Sequence, residues 1–177
     1  MGSIRAGRHC ETIASWVIDI ARAEAQGDLT FELIDLKDWP LPMDDEPGIP
    51  AVGSYDQPHT RAWSDKIKQA AGFIFVSPQY NWGYPAALKN ALDHLYKEWH
   101  GKPAVIATYG GHGGGKCSAQ LKQVLEGLHM RPMATAPQFT LTDFMIKGGP
   151  IDPAVDFQIQ AETVRQSIKD LGEAIWS

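Results

Sequence analysis

The chain has 177 residues, 44% of them hydrophobic and 21% charged, with a net charge of −5. That length suits one domain with a sizeable core, and the acidic balance argues against the basic patch of a nucleic-acid binder. No apolar run is long enough to span a bilayer, Met1–Ala6 holds neither a signal core nor a myristoylation pattern, and Cys10 and Cys117 lack CxxC spacing, so a cytoplasmic protein with free thiols is expected.

The first predicted element is a helix, with Ile13, Trp16, Val17, Ile20 and Ala21 on one face and Gly27 as its stop. Phe31–Leu36 follows as a strand. Residues 37–59 then carry five prolines (Pro40, Pro42, Pro47, Pro50, Pro58) and no period. A loop of that length is functional or mobile, and its acidic run Asp44-Asp45-Glu46 is expected to be solvated surface. Thr60 is the expected N-cap of a helix with Trp63, Ile67, Ala70 and Ala71 inward, ended by Gly72. Phe73-Ile74-Phe75-Val76 reads as a fully buried strand.

Pro85 suits the first turn of the next helix, Ala86 to Trp99, whose inward stripe is Leu88, Ala91, Leu92, Leu95 and Trp99. Pro103–Thr108 shows no polar alternation, as a strand covered on both faces should. A helix bearing Leu121, Val124, Leu125 and Leu128 comes next. A last strand is expected within 133–141, and a last helix over 155–176 with Val164, Ile168, Leu171 and Ile175 on one side. This alternation predicts a parallel sheet with helices on both faces and right-handed crossovers. Such folds normally open with a strand. Here Gly2-Ser3-Ile4-Arg5-Ala6-Gly7-Arg8 looks like the loop leaving that strand, and only Met1 stands before it.

Three loops carry chemistry. The first combines Ser3, Arg5 and Arg8 with a helix N-terminus, where backbone N–H groups and the helix dipole favour an anion and guanidinium forks grip phosphate. As a solvated tail it would carry no function. The second, Pro78-Gln79-Tyr80-Asn81-Trp82-Gly83-Tyr84-Pro85, follows a strand at the edge where open α/β sheets bind ligands. It alternates aromatic faces (Tyr80, Trp82) with amides (Gln79, Asn81), which suits a flat heteroaromatic ligand better than plain core packing. The third, Gly110-Gly111-His112-Gly113-Gly114-Gly115, permits unusual dihedrals and close approach of a ligand to the backbone. His112 is a candidate contact with no metal-spaced partner.

Gly110–Cys117 also nearly matches the nucleotide-binding pattern GxxxxGK[ST], but a cysteine replaces the hydroxyl that would hold magnesium. No Ser-His-Asp or Cys-His set can be assembled, and no metal site is expected.

Together these segments resemble the NAD(P)H-dependent FMN reductases of the flavodoxin-like fold, closest to the fungal quinone-reductase branch. The match rests on Gly2–Arg8, on Pro78-Gln79-Tyr80-Asn81-Trp82-Gly83-Tyr84-Pro85-Ala86-Ala87-Leu88-Lys89-Asn90-Ala91-Leu92-Asp93, and on Tyr109-Gly110-Gly111-His112-Gly113-Gly114. The resemblance implies one flavodoxin-like FMN-binding domain over 1–177, an α/β doubly wound parallel sheet of order 2-1-3-4-5 with its strand 1 absent. It implies that Ser3, Arg5 and Arg8 bind the FMN phosphate. Pro78, Gln79, Tyr80, Asn81 and Trp82 would line the isoalloxazine and ribityl chain. Gly110, Gly111, His112, Gly113 and Gly114 would approach the pyrimidine end. Hydride would pass from NADPH or NADH through the flavin to a quinone or similar acceptor, with no side chain as acid, base or nucleophile.

A homodimer or tetramer is implied, with Tyr84, Leu95 and Trp99 as interface candidates. A flavin-binding electron carrier without nicotinamide activity and an apo binding module are the alternatives. Without a first strand, the phosphate loop is expected to hold FMN more weakly than in a complete family member.

Overall fold

The computed structural model describes residues 1–25, 27–43 and 45–177. Its centre is a pair of parallel strands, β1 (Phe73–Pro78) and β2 (Pro103–Gly110), in register from Phe73 opposite Ala104 to Pro78 opposite Tyr109. Two short strands share the far edge of β2. β3 (Arg131–Pro132) pairs with Pro103–Ala104, and β4 (Gln138–Thr140) pairs with Thr108–Gly110, both in parallel. The single strand expected within 133–141 is therefore two pieces. Pro132 and Pro137 flank the gap, and proline cannot donate to a ladder.

Period-2 alternation along β2 splits the core. Ala107 and Tyr109 face one side with Val76 and Phe139, packed by α1 (Cys10–Glu24) and α7 (Ala161–Trp176). Ala104 and Ile106 face the other, packed by α2 (Pro58–Lys68), α3 (Ala86–Asp93) and α4 (Gly115–Gly127). The predicted stripes on the two outer helices are the buried ones: Ile13, Val17 and Ala21, and Val164, Ile168 and Leu171. Two one-turn helices, α5 (Asp143–Ile146) and α6 (Pro153–Asp156), cross one end.

Several boundaries differ from expectation. The helix predicted to reach Trp99 stops at Asp93, and Lys97–Trp99 forms a separate 3-10 turn after the non-helical Tyr96. The break lets the Trp99 indole donate to the Leu92 carbonyl at 3.1 Å and pack edge-on to Phe73. Leu95 and Trp99 are each 1% exposed, so core packing replaces their expected interface role, while Tyr84 is half-buried. α2 starts at Pro58, not after Thr60, whose buried hydroxyl bonds His94 Nδ1 instead. The helix expected over 155–176 begins with α6 and a 3-10 turn at Gln158–Gln160 before α7.

The largest difference lies at the sheet's other edge. Phe31–Leu36, expected as a strand, has no strand pairing: residues 31–35 carry no regular structure and lead into a 3-10 helix at Leu36–Asp38. Phe73, Ile74 and Phe75, expected fully buried, are only half-buried. Both facts have one cause. Among the described residues the order 2-1-3-4-5 is realised only in its 3-4-5 half, and the space between residues 29–35 and β1 holds no strand. Only its last rung is filled. Met1 donates its amino group to Ile34 O at 2.6 Å and accepts from Leu36 N at 3.5 Å, while Gly2 N donates to Val76 O at 2.9 Å.

The proline-rich loop is pinned rather than free. His94 Nε2 bonds Pro42 O at 2.8 Å, Asn90 donates to Leu41 O at 2.9 Å, and Lys97 donates to Val52 O at 3.0 Å. Its acidic run is not merely solvated. Asp45 pairs with His59 at 2.9 Å, and the Glu46 carboxylate accepts from Asp56 N and Gln57 N at the start of α2. Asp44 lies outside the described residues.

Beneath this loop the Glu98 carboxylate, 7% exposed, accepts from Ser64 Oγ at 2.6 Å and Tyr55 Oη at 2.9 Å. Burial pushes its pKa up, but the Ser64, Tyr55 and backbone hydrogen bonds outweigh that and hold it below the usual carboxylate range. A depressed folded-state pKa stabilises above the unfolded value and is lost as pH falls through the folded one. Glu98→Gln is therefore expected to cost about 1–3 kcal/mol at pH 7. Melting curves of the two proteins should converge below about pH 4, near the ordinary carboxylate range. An equal difference at pH 7 and pH 3 would refute the charge-based account.

Candidate active site

At the C-terminal end of β1 the backbone reverses. Tyr80 N donates to Gly83 O at 2.8 Å and Gly83 N donates back to Tyr80 O at 2.9 Å. The two central residues, Asn81 (φ 48°) and Trp82 (φ 71°), both lie in the left-handed region, as a type I′ turn requires. Asparagine tolerates that conformation, but a bulky tryptophan there is a strained outlier. Trp82 is also 67% exposed. Strain held at an exposed aromatic beyond the C-terminal end of a parallel strand makes this turn a candidate ligand contact. Lys116 Nζ sits 5.1 Å from the centre of the Trp82 ring.

The first loop docks on this turn. The fully buried Ser3 shares a 2.8 Å hydrogen bond between its Oγ and Tyr80 Oη, and the exposed Arg5 lays its guanidinium 3.9 Å over the Tyr80 ring. Arg8 is committed elsewhere. One nitrogen donates to Ser3 O at 2.9 Å and another pairs with Asp35, with the two side chains only 7% and 15% exposed. The two guanidiniums expected to grip a phosphate together thus divide their work. Arg5 faces outward and Arg8 braces the loop. α1 begins with His9 as N-cap and no side-chain cap, which leaves its first amides for an outside acceptor.

The third loop closes the cup. Gly113 N donates to Gly110 O at 3.0 Å, and Thr108 Oγ1 donates to Gly113 O at 3.1 Å. Gly113 (φ 73°) and Gly114 (φ 85°) are both left-handed. Gln79, expected to bond a ligand, spends its Oε1 on Lys116 N and Cys117 N at 3.0 and 3.1 Å, which caps α4 and ties the second loop to the third. Pro78 is buried beneath the turn, whereas Gly111 and His112 are exposed. The three loops therefore share one edge of the sheet.

Sequence reasoning missed a fourth wall. The segment after β4 enters α5 with Thr142 Oγ1 accepting from Met145 N at 3.3 Å. It leaves Phe144 and Ile146 exposed, and Ile146 Cδ1 lies 3.2 Å from where a Gly111 side chain would begin. A threonine ahead of Phe144-Met145-Ile146 was the available signal.

Two other chemistries lose support. Cys117, where a nucleotide-binding loop would carry its magnesium hydroxyl, is fully buried and donates to Pro78 O at 3.4 Å. Asp45, His59 and His94 offer ligand atoms within 4.8 Å of one another, a grouping invisible at their sequence spacing. Both nitrogens of His94 are already bonded, to Thr60 and Pro42. The trio fastens the proline-rich loop.

The family model for NADPH-dependent FMN reductase matches residues 1–142. This chain belongs to the NADPH-dependent FMN reductase family. An NAD(P)H-dependent FMN reductase of Schizosaccharomyces pombe is 56% identical over 159 residues, covering 89% of this chain and 78% of that protein. The quinone reductase of Escherichia coli K12 is 31% identical over 176 residues, covering 96% and 85%. Among solved structures, the flavoenzyme NAD(P)H:(acceptor) oxidoreductase FerB of Paracoccus denitrificans superposes with a TM-score of 0.70 at 22% identity, covering 99% of this chain and 93% of the other. That superposition establishes for this FMN reductase family member the flavodoxin-like fold that the resemblance implied. None of its described helices is long and apolar enough to cross a membrane.

Proposed function

We propose that this chain is an FMN-dependent oxidoreductase that passes hydride from NADPH or NADH to a quinone or similar small acceptor. The observation that carries the reading is the convergence of an uncapped helix N-terminus with Arg5, a strained turn presenting Trp82, and a glycine loop at one sheet edge. These groups fit the cofactor's parts. Ser3, Arg5 and the first amides of α1 suit its phosphate, with Arg8 holding Ser3 in place. Tyr80, Asn81 and Trp82 suit its ring and ribityl chain. Gly110, Gly111, His112, Gly113 and Gly114 suit the pyrimidine end, where backbone N–H groups stabilise negative charge.

When bound, FMN supplies the two-electron chemistry, taking hydride from the nicotinamide and giving it to the acceptor. The protein's part is to bind, orient and shield. Phe144 and Ile146 keep water from the Gly111 side of the cup. Burial pushes the Cys117 thiol up to about 11, so it stays protonated at neutral pH and offers no competing thiolate. No side chain is assigned as acid, base or nucleophile. We further propose one flavin-binding domain over 1–177. A homodimer covering the exposed Trp82, Phe144 and Ile146 is part of the same proposal. The buried, unbridged Cys10 and Cys117 support a cytoplasmic setting.

A visible spectrum tests the assignment. Protein incubated with FMN and desalted should retain yellow colour, bleach with NADPH and recover on adding a quinone. Arg5→Ala should weaken FMN binding about tenfold, the equivalent of one charge-assisted hydrogen bond, with little change in melting temperature. Colourless protein at saturating FMN would defeat the proposal. Retained colour without NAD(P)H oxidation would favour the electron carrier.

A further inference from the structure

The turn Tyr80–Gly83 carries two cations, each laid on an aromatic ring. Arg5 lies 3.9 Å over Tyr80, and Lys116 Nζ sits 5.1 Å from the centre of the Trp82 ring. Both residues are exposed, and neither joins an ion pair among the described residues. By contrast the next lysine along α4, Lys122, pairs with Glu126 at 3.9 Å, and Lys89 of α3 pairs with Asp93. An aromatic face holds a cation in place without neutralising its charge, so an approaching anion meets it unpaired. In a chain of net charge −5, two such cations on one turn reverse the sign locally. Arg5 is assigned to the flavin phosphate, and FMN carries only one, which leaves Lys116 without an anion.

Lys116 is not a loose side chain at the rim. Its backbone N–H donates to Gln79 Oε1 at 3.0 Å, and its ammonium rests on Trp82. Gln120, one turn further along the same face of α4, puts its Oε1 2.9 Å from where a Gly83 side chain would begin. The start of α4 is thus fixed against the turn. The same contacts say which anion suits it. A helix N-terminus takes a pyrophosphate through its first amides, but Lys116 N and Cys117 N already donate to Gln79. What remains is a side-chain ammonium, a compact point charge that attracts a doubly charged terminal phosphate most strongly.

The geometry points to Lys116, seated on Trp82 and flanked by Gln120, as the group that reads the 2′-phosphate of NADPH and so sets a preference for NADPH over NADH. The inference rests on the flavin reading above and adds to it the residue that selects the hydride donor. NADH has a hydroxyl where NADPH has that phosphate, and is otherwise the same molecule. One charge-assisted contact to the phosphate changes affinity about tenfold. It leaves the hydride step alone, because the contact is the same in the ground and transition states.

Two adenosine ligands test this without redox chemistry. Adenosine 2′,5′-bisphosphate carries the 2′-phosphate, and adenosine 5′-monophosphate lacks it. Calorimetric titration of the FMN-loaded protein should show the bisphosphate binding about tenfold tighter. Lys116→Gln should abolish the difference, and Lys116→Arg should keep it. Lys122→Gln, the same loss of charge on the same helix, should leave it unchanged. In turnover, Lys116→Gln should raise KM for NADPH about tenfold while KM for NADH and both kcat values hold. Equal or undetectable binding of the two ligands to the parent would overturn the inference, as would discrimination that survives in Lys116→Gln. An equal loss for both ligands, or for both nicotinamides, would overturn it too by placing Lys116 on a group they share. The flavin reading fails separately: protein that stays colourless with FMN defeats it, and the two adenosine ligands then still decide the role of Lys116 on the unloaded protein.

Discussion

Valine at Gly114 is expected to cost about 2–5 kcal/mol of stability. Two terms contribute. Gly114 has φ 85°, a left-handed conformation that costs an L side chain about 1–2 kcal/mol. A Cβ there would also lie 2.7 Å from Thr108 Cβ and 3.0 Å from Tyr109 N, on the central strand of the sheet. Forcing that contact apart costs about 1–3 kcal/mol more. Neither neighbour can give way cheaply, because Thr108 is fully buried and its hydroxyl holds Gly113 O. For a chain of this length each kcal/mol moves the melting temperature by about 2–4 °C, so a fall of about 10 °C is expected. Gly111→Ala is the control. Its added Cβ meets only the flexible tip of Ile146 at 3.2 Å, so its melting temperature should stay near that of the parent. Equal stability of Gly114→Val and the parent would mean that the third loop is not held as described.

Arg8→Ala is expected to cost about 3–5 kcal/mol, the usual penalty for leaving one partner of a buried ion pair alone. The Asp35 carboxylate would lose its cation and Ser3 O would lose its donor in one step. The consequence extends to the site, because Ser3 carries the hydrogen bond to Tyr80. Melting temperature and FMN affinity should therefore fall together in Arg8→Ala, whereas Arg5→Ala lowers affinity alone. Replacing both members of the pair, Arg8→Met with Asp35→Leu, should recover most of the stability, since an apolar pair of similar volume needs no desolvation. Recovery of stability without recovery of FMN affinity would separate the hold of Arg8 on Ser3 O from its pairing with Asp35. A fully stable Arg8→Ala would show the pair to be ornamental.

What local pattern can specify, this sequence specified: the helical stripes of α1, α3 and α7, the apolar runs of β1 and β2, and the three loops between them. Period and turn chemistry are properties of a few adjacent residues, so they read directly. The type I′ turn at Asn81-Trp82 lay inside a loop chosen for its aromatics and amides, yet the strain on Trp82 depends on backbone angles that composition does not encode.

Partnership was decided only in three dimensions. Arg5 and Arg8 are equivalent in sequence, and the nearness of Asp35 is what turns one inward. Gln79 was legible as a polar loop residue, but its role as the cap of α4 required the approach of Lys116 and Cys117. Phe31–Leu36 has strand character and forms no strand, because a strand is a relation between neighbours and no strand among the described residues pairs with it. Propensity belongs to a segment, whereas pairing, burial and charge neutralisation belong to whatever the rest of the chain places against it.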